Sequence, residues 1–132
     1  MTDKIVVLST CASEEEAGRL ANLLLERRLA ACVNILPSVK SVYRWKGEIE
    51  SAPECLLIIK SARAQFDALR AALESAHSYE LPEALALPVI DGSPAYLAWL
   101  AGSLQAEAES DGRAEPDGNP QVEVESSPGT QS

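Results

Sequence analysis

The groups able to do chemistry in this chain are few, so their types and spacing carry weight. His77 is the only histidine among the 132 residues, and it opens the run His77-Ser78-Tyr79-Glu80-Leu81-Pro82-Glu83. An imidazole beside the carboxylates of Glu80 and Glu83 suits Cu²⁺ or Zn²⁺, provided a further ligand such as a thiolate arrives from elsewhere. Three cysteines are present, Cys11, Cys32 and Cys55, with no CxxC and no zinc-like spacing. Their odd number and their places in apolar runs suit free thiols in a reducing compartment. Cys32 reads as packing rather than as a nucleophile, since nothing around it marks an activated thiol. Glu80 and Glu83 could act as an acid–base pair. No nucleophile or substrate pocket accompanies them, so a solvated turn is the plainer reading and no enzyme is indicated.

These groups are positioned by a short series of elements. Ile5-Val6-Val7-Leu8 is a wholly apolar run, which predicts a mid-sheet strand buried on both sides. Ser13-Glu14-Glu15-Glu16 is a capping box, in which the Ser13 hydroxyl takes the Glu16 amide and the Glu16 carboxylate reaches back. Ala17, Leu20, Ala21 and Leu24 then mark the apolar stripe of a helix closed by Arg27 and Arg28. A second helix is predicted from about Arg63 to Ala76, with Phe66, Leu69 and Leu73 inward. Ala84–Ile90 reads as an edge strand because proline cannot donate to a ladder and Pro88 lies within it. Ser93-Pro94 starts a short last helix through Tyr96, Leu97, Trp99 and Leu100.

Between the helices lies a hairpin too long for a domain of this size. Ala31–Leu36 and Val39–Trp45 are two extended runs separated by Pro37, and Lys46-Gly47-Glu48 turns the chain back through Ile49 into the apolar strand Cys55–Ile59. Alternation puts Ser41, Tyr43 and Trp45 on one face and Val42 and Arg44 on the other. Aromatics near such a tip are hard to cover from within one chain and are enriched at interfaces. Tyr43, Arg44 and Trp45 are therefore candidate contacts with further copies of the chain, and Glu48 and Glu50 could pair with Arg44 or Lys46.

The order is thus βαββαβ plus a helix. Right-handed crossovers predict an α+β, ferredoxin-like plait in which strands 1 and 3 are central, strands 2 and 4 are edges, and both helices share one face. In that topology strand 4 begins where strand 1 ends, so the His77–Glu83 segment approaches Ser9-Thr10-Cys11. His77, Cys11, Glu80 and Glu83 are accordingly the candidate metal ligands. A structural alternative keeps His77 as a helix C-terminal residue bonded to a carbonyl and Cys11 as a small buried filler.

A net charge of −9 argues against a nucleic-acid or anionic-membrane surface, both of which need concentrated Lys and Arg. Six of those nine negative charges are the balance of residues 103–132, a Glu-, Ser-, Gly- and Pro-rich stretch with almost no apolar content. It reads as a disordered acidic tail, giving a domain over residues 1–104 and a tail over 105–132. No basic-then-apolar signal precedes Lys4 and no apolar run approaches membrane length, so a cytoplasmic protein is expected.

Leu29-Ala30-Ala31-Cys32-Val33-Asn34, Tyr43-Arg44-Trp45-Lys46-Gly47, His77 to Glu83 and Tyr96-Leu97-Ala98-Trp99-Leu100 together resemble the CutA family of divalent-cation tolerance proteins. Four blocks in order, over roughly Ile5 to Leu104, make the resemblance specific. It implies a ferredoxin-like fold, a compact homotrimer and a role linked to copper and other divalent cations, with no enzyme activity. It also implies a metal site built from a thiol at the end of the first strand and histidines just before the tyrosine. Here the strand-end thiol is Cys11, with Ser9 two residues earlier; Ala76 stands where a second histidine could be; and His-Pro-Tyr is His77-Ser78-Tyr79. Two other functions fit the same element order. A nucleotide-sensing regulator of the PII type would need a Gly-rich phosphate loop or basic cluster, and neither is present. An RNA-recognition module would show aromatics on strands 1 and 3, which here are wholly aliphatic.

Overall fold

The computed structural model describes residues 1–106; of the acidic tail expected over residues 105–132, all but Gln105 and Ala106 lies outside the described residues. Strands β1 (Lys4–Cys11), β2 (Cys32–Trp45), β3 (Glu48–Ala62) and β4 (Leu85–Pro88) alternate with helices α1 (Glu14–Glu26) and α2 (Phe66–Ala76), and α3 (Pro94–Gly102) closes the series. All pairings are antiparallel, in the order β2-β3-β1-β4. This is the ferredoxin-like plait, with Pro37 and Pro88 on the edge strands and Pro53 in the part of β3 that extends beyond its pairing with β1.

One core lies between the sheet and the first two helices. Ile5, Val7 and Cys11 of β1 and Cys55, Leu57 and Ile59 of β3 meet Ala17, Leu20 and Leu24 of α1 and Leu69, Ala72 and Leu73 of α2. A smaller cluster joins Leu100 and Leu104 to Ala62, with Tyr96 and Trp99 packed against it. The expectation that β1 is buried on both sides is corrected: its burial alternates strictly. Val6 and Leu8 face the side of the sheet that α1 and α2 do not cover, where they pair with Lys60 and Ile58 of β3 and with Leu87 and Leu85 of β4.

Several boundaries move for local reasons. β2 runs unbroken through Pro37, because a shift of register between Leu36 and Val39 absorbs the proline and lets Ser38 take φ 64°. β3 is a single strand from the turn to Ala62 rather than a short apolar run ending at Lys60. Lys46 (φ 52°) and Gly47 (φ 86°) make the two-residue turn with positive φ at both positions, whose twist matches that of the strands it joins. A 3-10 turn, Arg63–Gln65, precedes α2. Ser93 makes no side-chain cap bond to α3, so Pro94 alone marks that start. Gln105 is tied to the domain through bonds to the carbonyls of Arg27 and Arg28.

Candidate functional site

The end of β1, the distal half of the β2–β3 hairpin and the loop after α2 enclose an open cleft of about 850 Å³. Thr10 of β1 and Ala12 just after it line the cleft on one side, Tyr43, Trp45, Glu50 and Glu54 from the hairpin, and Tyr79, Glu80 and Glu83 from the loop. Four of the lining residues are glutamates and none is Lys, Arg or His. Antiparallel pairing of β4 with β1 produces this meeting, as the sequence predicts: the segment before β4 must pass the end of β1.

Glu16, missed as a site residue in the sequence, holds the loop in place. It sits in the first turn of α1 at 7% exposure. Its amide is capped by the Ser13 hydroxyl at 3.1 Å, but its carboxylate does not return to Ser13 as a reciprocal box would. It accepts instead from the Ser78 amide at 2.8 Å and the Ser78 hydroxyl at 3.0 Å, with the Ala12 amide at 3.4 Å. Arg19 lies 3.6 Å away and also donates to the Ala76 carbonyl, so one helix turn fastens both ends of the α2–loop junction. Burial opposes ionisation of Glu16, yet the bonds from Ser78 and Ala12 overcome it and keep the carboxyl below its ordinary range. A Glu three residues after a helix-capping Ser was visible in the sequence; its long-range partner was not.

His77 is the C-cap of α2 and its side chain is fully buried. Its Nε2 lies 2.8 Å from the Thr10 carbonyl and its Nδ1 accepts from the Tyr79 amide at 3.0 Å. That pairing fixes the neutral ring with its proton on Nε2. Both nitrogens are therefore engaged in joining the loop to β1. Cys11, wholly buried on the core side of β1, points its thiol toward the Ser13 carbonyl at 3.5 Å. Burial pushes that thiol up to about 11, and the charges of Glu16 and Glu54 add to the effect. Glu80 is exposed, and Glu83 is half-buried in the cleft wall. Burial first and the charge of Glu54 second raise the Glu83 carboxyl above its usual range. The topology thus brings the four predicted ligands to one end of the sheet, but among the described residues no group of three or more His, Cys, Asp or Glu is disposed to hold a metal ion. Within the single chain His77 takes the carbonyl-bonded place of the structural alternative.

Tyr79 completes the wall. Its hydroxyl donates to Glu54 Oε2 at 2.5 Å, crossing from loop to hairpin. Burial, then that bond, moves the phenol well above its ordinary range. On the hairpin, Tyr43 pairs with Glu50 and Trp45 with Glu48 across the strands, while Arg44 faces the other way opposite Ile49. Tyr43 remains 41% exposed, and Lys46 Nζ lies 5.6 Å from the Trp45 ring centroid.

A ferredoxin-like plait with an overlong central hairpin and a loop-to-β1 junction of this kind defines the class of the molecule. A family model described as CutA1 divalent ion tolerance protein matches residues 5–103. The chain is 46% identical over 95 residues to the divalent-cation tolerance protein CutA of Thermus thermophilus, covering 72% of this chain and 92% of that one. It is 45% identical to the protein of the same name from Pectobacterium atrosepticum, over 80% of this chain and 96% of the relative. Among solved structures, a protein from Archaeoglobus fulgidus described as a periplasmic divalent cation tolerance protein CutA superposes with a TM-score of 0.74 at 39% identity, covering 76% of this chain and 97% of that one. The chain belongs to the CutA family of divalent-cation tolerance proteins.

Proposed function

We propose that the chain works in divalent-cation tolerance as a non-enzymatic homotrimer in the cytoplasm, assembled through the open edge of β2. The observation that carries this reading is that edge. The fourteen-residue β2 has a neighbouring strand on one side only among the described residues, and natural proteins seldom leave so long an edge open. Head-to-tail pairing of three such edges closes a ring and removes it. The apolar surface agrees: Val42 (64%) and Ile49 (69%) stand exposed on the hairpin, and Leu36, Leu85 and Leu87 are exposed on the uncovered face of the sheet. The three free thiols suit a reducing compartment, and no described helix is long and apolar enough to cross a membrane. A PII-type regulator would need positive charge for a triphosphate, and the cleft is lined by carboxylates instead.

Cu²⁺ or another divalent cation would be held weakly, by His77 with Cys11 or the carboxylates of Glu80 and Glu83, after His77 gave up one of its hydrogen bonds. The test is complementation. A strain lacking its own homologue and sensitive to copper should recover growth with the wild-type chain. It should not recover with Tyr43→Ala/Trp45→Ala, which removes the proposed contacts between copies. Full rescue by that variant, or nucleotide binding by the purified chain, would overturn the reading.

A further inference from the structure

Along β3, Cys55, Leu57 and Ile59 enter the core, so Glu50, Ala52 and Glu54 lie on the face turned away from α1 and α2. Tyr43 stands directly opposite Glu50 on that face, and Ser41 opposite Ala52. Tyr79 reaches over from the loop to donate to Glu54 at 2.5 Å. The floor of the cleft is thus a groove with a carboxylate–tyrosine pair at each end and small side chains between. Four residues of strand at about 3.3 Å each put the two pairs roughly 13 Å apart. We infer that this groove binds a linear aliphatic polyamine of triamine length. One end ammonium sits on Glu50 and Tyr43, the other on Glu54 and Tyr79, and the methylene chain runs along Ala52.

Charge complementarity selects a cation. Among the described residues neither Glu50 nor Glu54 has a Lys, Arg or His partner, and the same holds for Glu80 and Glu83 on the facing loop. Apart from these glutamates the lining is uncharged, and it is aromatic or small along the floor. An ammonium group suits each pair in two ways. It donates a charge-assisted bond to the carboxylate, and it lies against an aromatic ring whose face is negative. Glu80 and Glu83 deepen the negative potential that draws such a ligand in.

Spacing then selects a long organic cation over a metal ion. Metal–oxygen bonds of about 2.0–2.6 Å cannot join two pairs held ~13 Å apart. The ligand's own charges must be as widely separated, and the stretch joining them must want no polar partner over Ala52. Methylenes meet that condition, whereas a peptide would bring amide groups that need partners of their own. The Ser41 hydroxyl beside Ala52 can accept from the middle amine of a triamine. The site differs from the proposed metal ligands, since Glu50, Glu54, Tyr43 and Tyr79 are not among them. Tyr43 and Trp45 are also the proposed contacts between copies, so the groove lies beside the subunit boundary and binding is read together with mass.

The test is calorimetric titration of spermidine into the full chain, with a chelator present to remove divalent ions. The expected result is one spermidine per chain, bound more tightly than the shorter putrescine and less tightly as salt is added. Glu54→Gln, at a half-buried position, should lower affinity ~10-fold or more, the scale of a bond to a charged group. Exposed Glu50→Gln should lower it about 3–5-fold, the scale of a surface ion pair. Glu26→Gln removes the same charge from the last turn of α1, at the other end of the sheet, and should change affinity less than ~2-fold. Sedimentation of each variant should show unchanged mass. Equal losses in all three variants, equal affinity for putrescine and spermidine, or tighter binding of a capped trilysine peptide would overturn the proposal. So would affinity that falls only where mass falls, because the effect would then belong to the contacts between copies.

Discussion

Glu16→Ala removes the acceptor that joins α1 to the loop after α2. The two bonds from Ser78, at 2.8 and 3.0 Å, go to an ionised and nearly buried carboxylate. Bonds to charged groups contribute roughly 1.5–3 kcal/mol each. Ser78 itself is exposed and can turn to water once its partner is gone, which discounts the sum to about 2–3 kcal/mol. In a domain of about 100 residues each kcal/mol moves the melting temperature by roughly 4–8 °C, so the variant should melt about 8–24 °C lower at equal protein concentration. The pH dependence gives a sharper check. Glu16 is held below its ordinary range in the fold, so the folded chain binds fewer protons there than the unfolded one. Its contribution is complete above the unfolded glutamate value of about 4.3 and is lost as pH falls through the lower folded value. The gap between wild type and variant should stay constant from neutrality to about pH 5 and close in stronger acid. Calorimetry showing the same gap at about pH 3 as at neutrality would refute the assignment of that energy to the ionised carboxylate.

Other outcomes follow from the same contacts. Tyr79→Phe deletes the bond to Glu54 and should lower stability by roughly 1–2 kcal/mol in thermal denaturation. The phenol that ionises last in an alkaline ultraviolet titration should disappear with it, since burial and Glu54 raise Tyr79 well above the usual range. Tyr43→Ala/Trp45→Ala should shift light scattering toward smaller species, because each aromatic covers ~150–250 Å² when fully buried. A chain ending at Leu104 should melt about 4–8 °C below one ending at Ala106, the scale of about 1 kcal/mol, because it loses the Gln105 bonds to Arg27 and Arg28.

Most of the fold was legible because local patterns and topology agreed. The prolines at 37 and 88 marked the edges, the aliphatic runs at 5–8 and 56–59 marked the centre, and two crossovers left one plausible order. Apolar content misled at β1: Val6 and Leu8 looked fully buried because composition cannot tell the face packed against α1 and α2 from the one turned away from them. Proline at 37 suggested a break, but a register shift costs less than ending a ladder this long. At the site, topology correctly brought His77 to the end of β1. What periodicity could not reveal was which atoms bond across it: Glu16 looked like a local cap and proved to reach Ser78, while His77 spends both nitrogens on Thr10 and Tyr79.

The proposal rests most heavily on the open edge of β2, and mass in solution tests it directly. Sedimentation equilibrium of the full chain at micromolar concentration should give about 42 kDa, three copies of the 14.1 kDa chain closed into a ring. A single species of 14.1 kDa under those conditions would contradict it, leaving β2 an edge that the isolated chain tolerates.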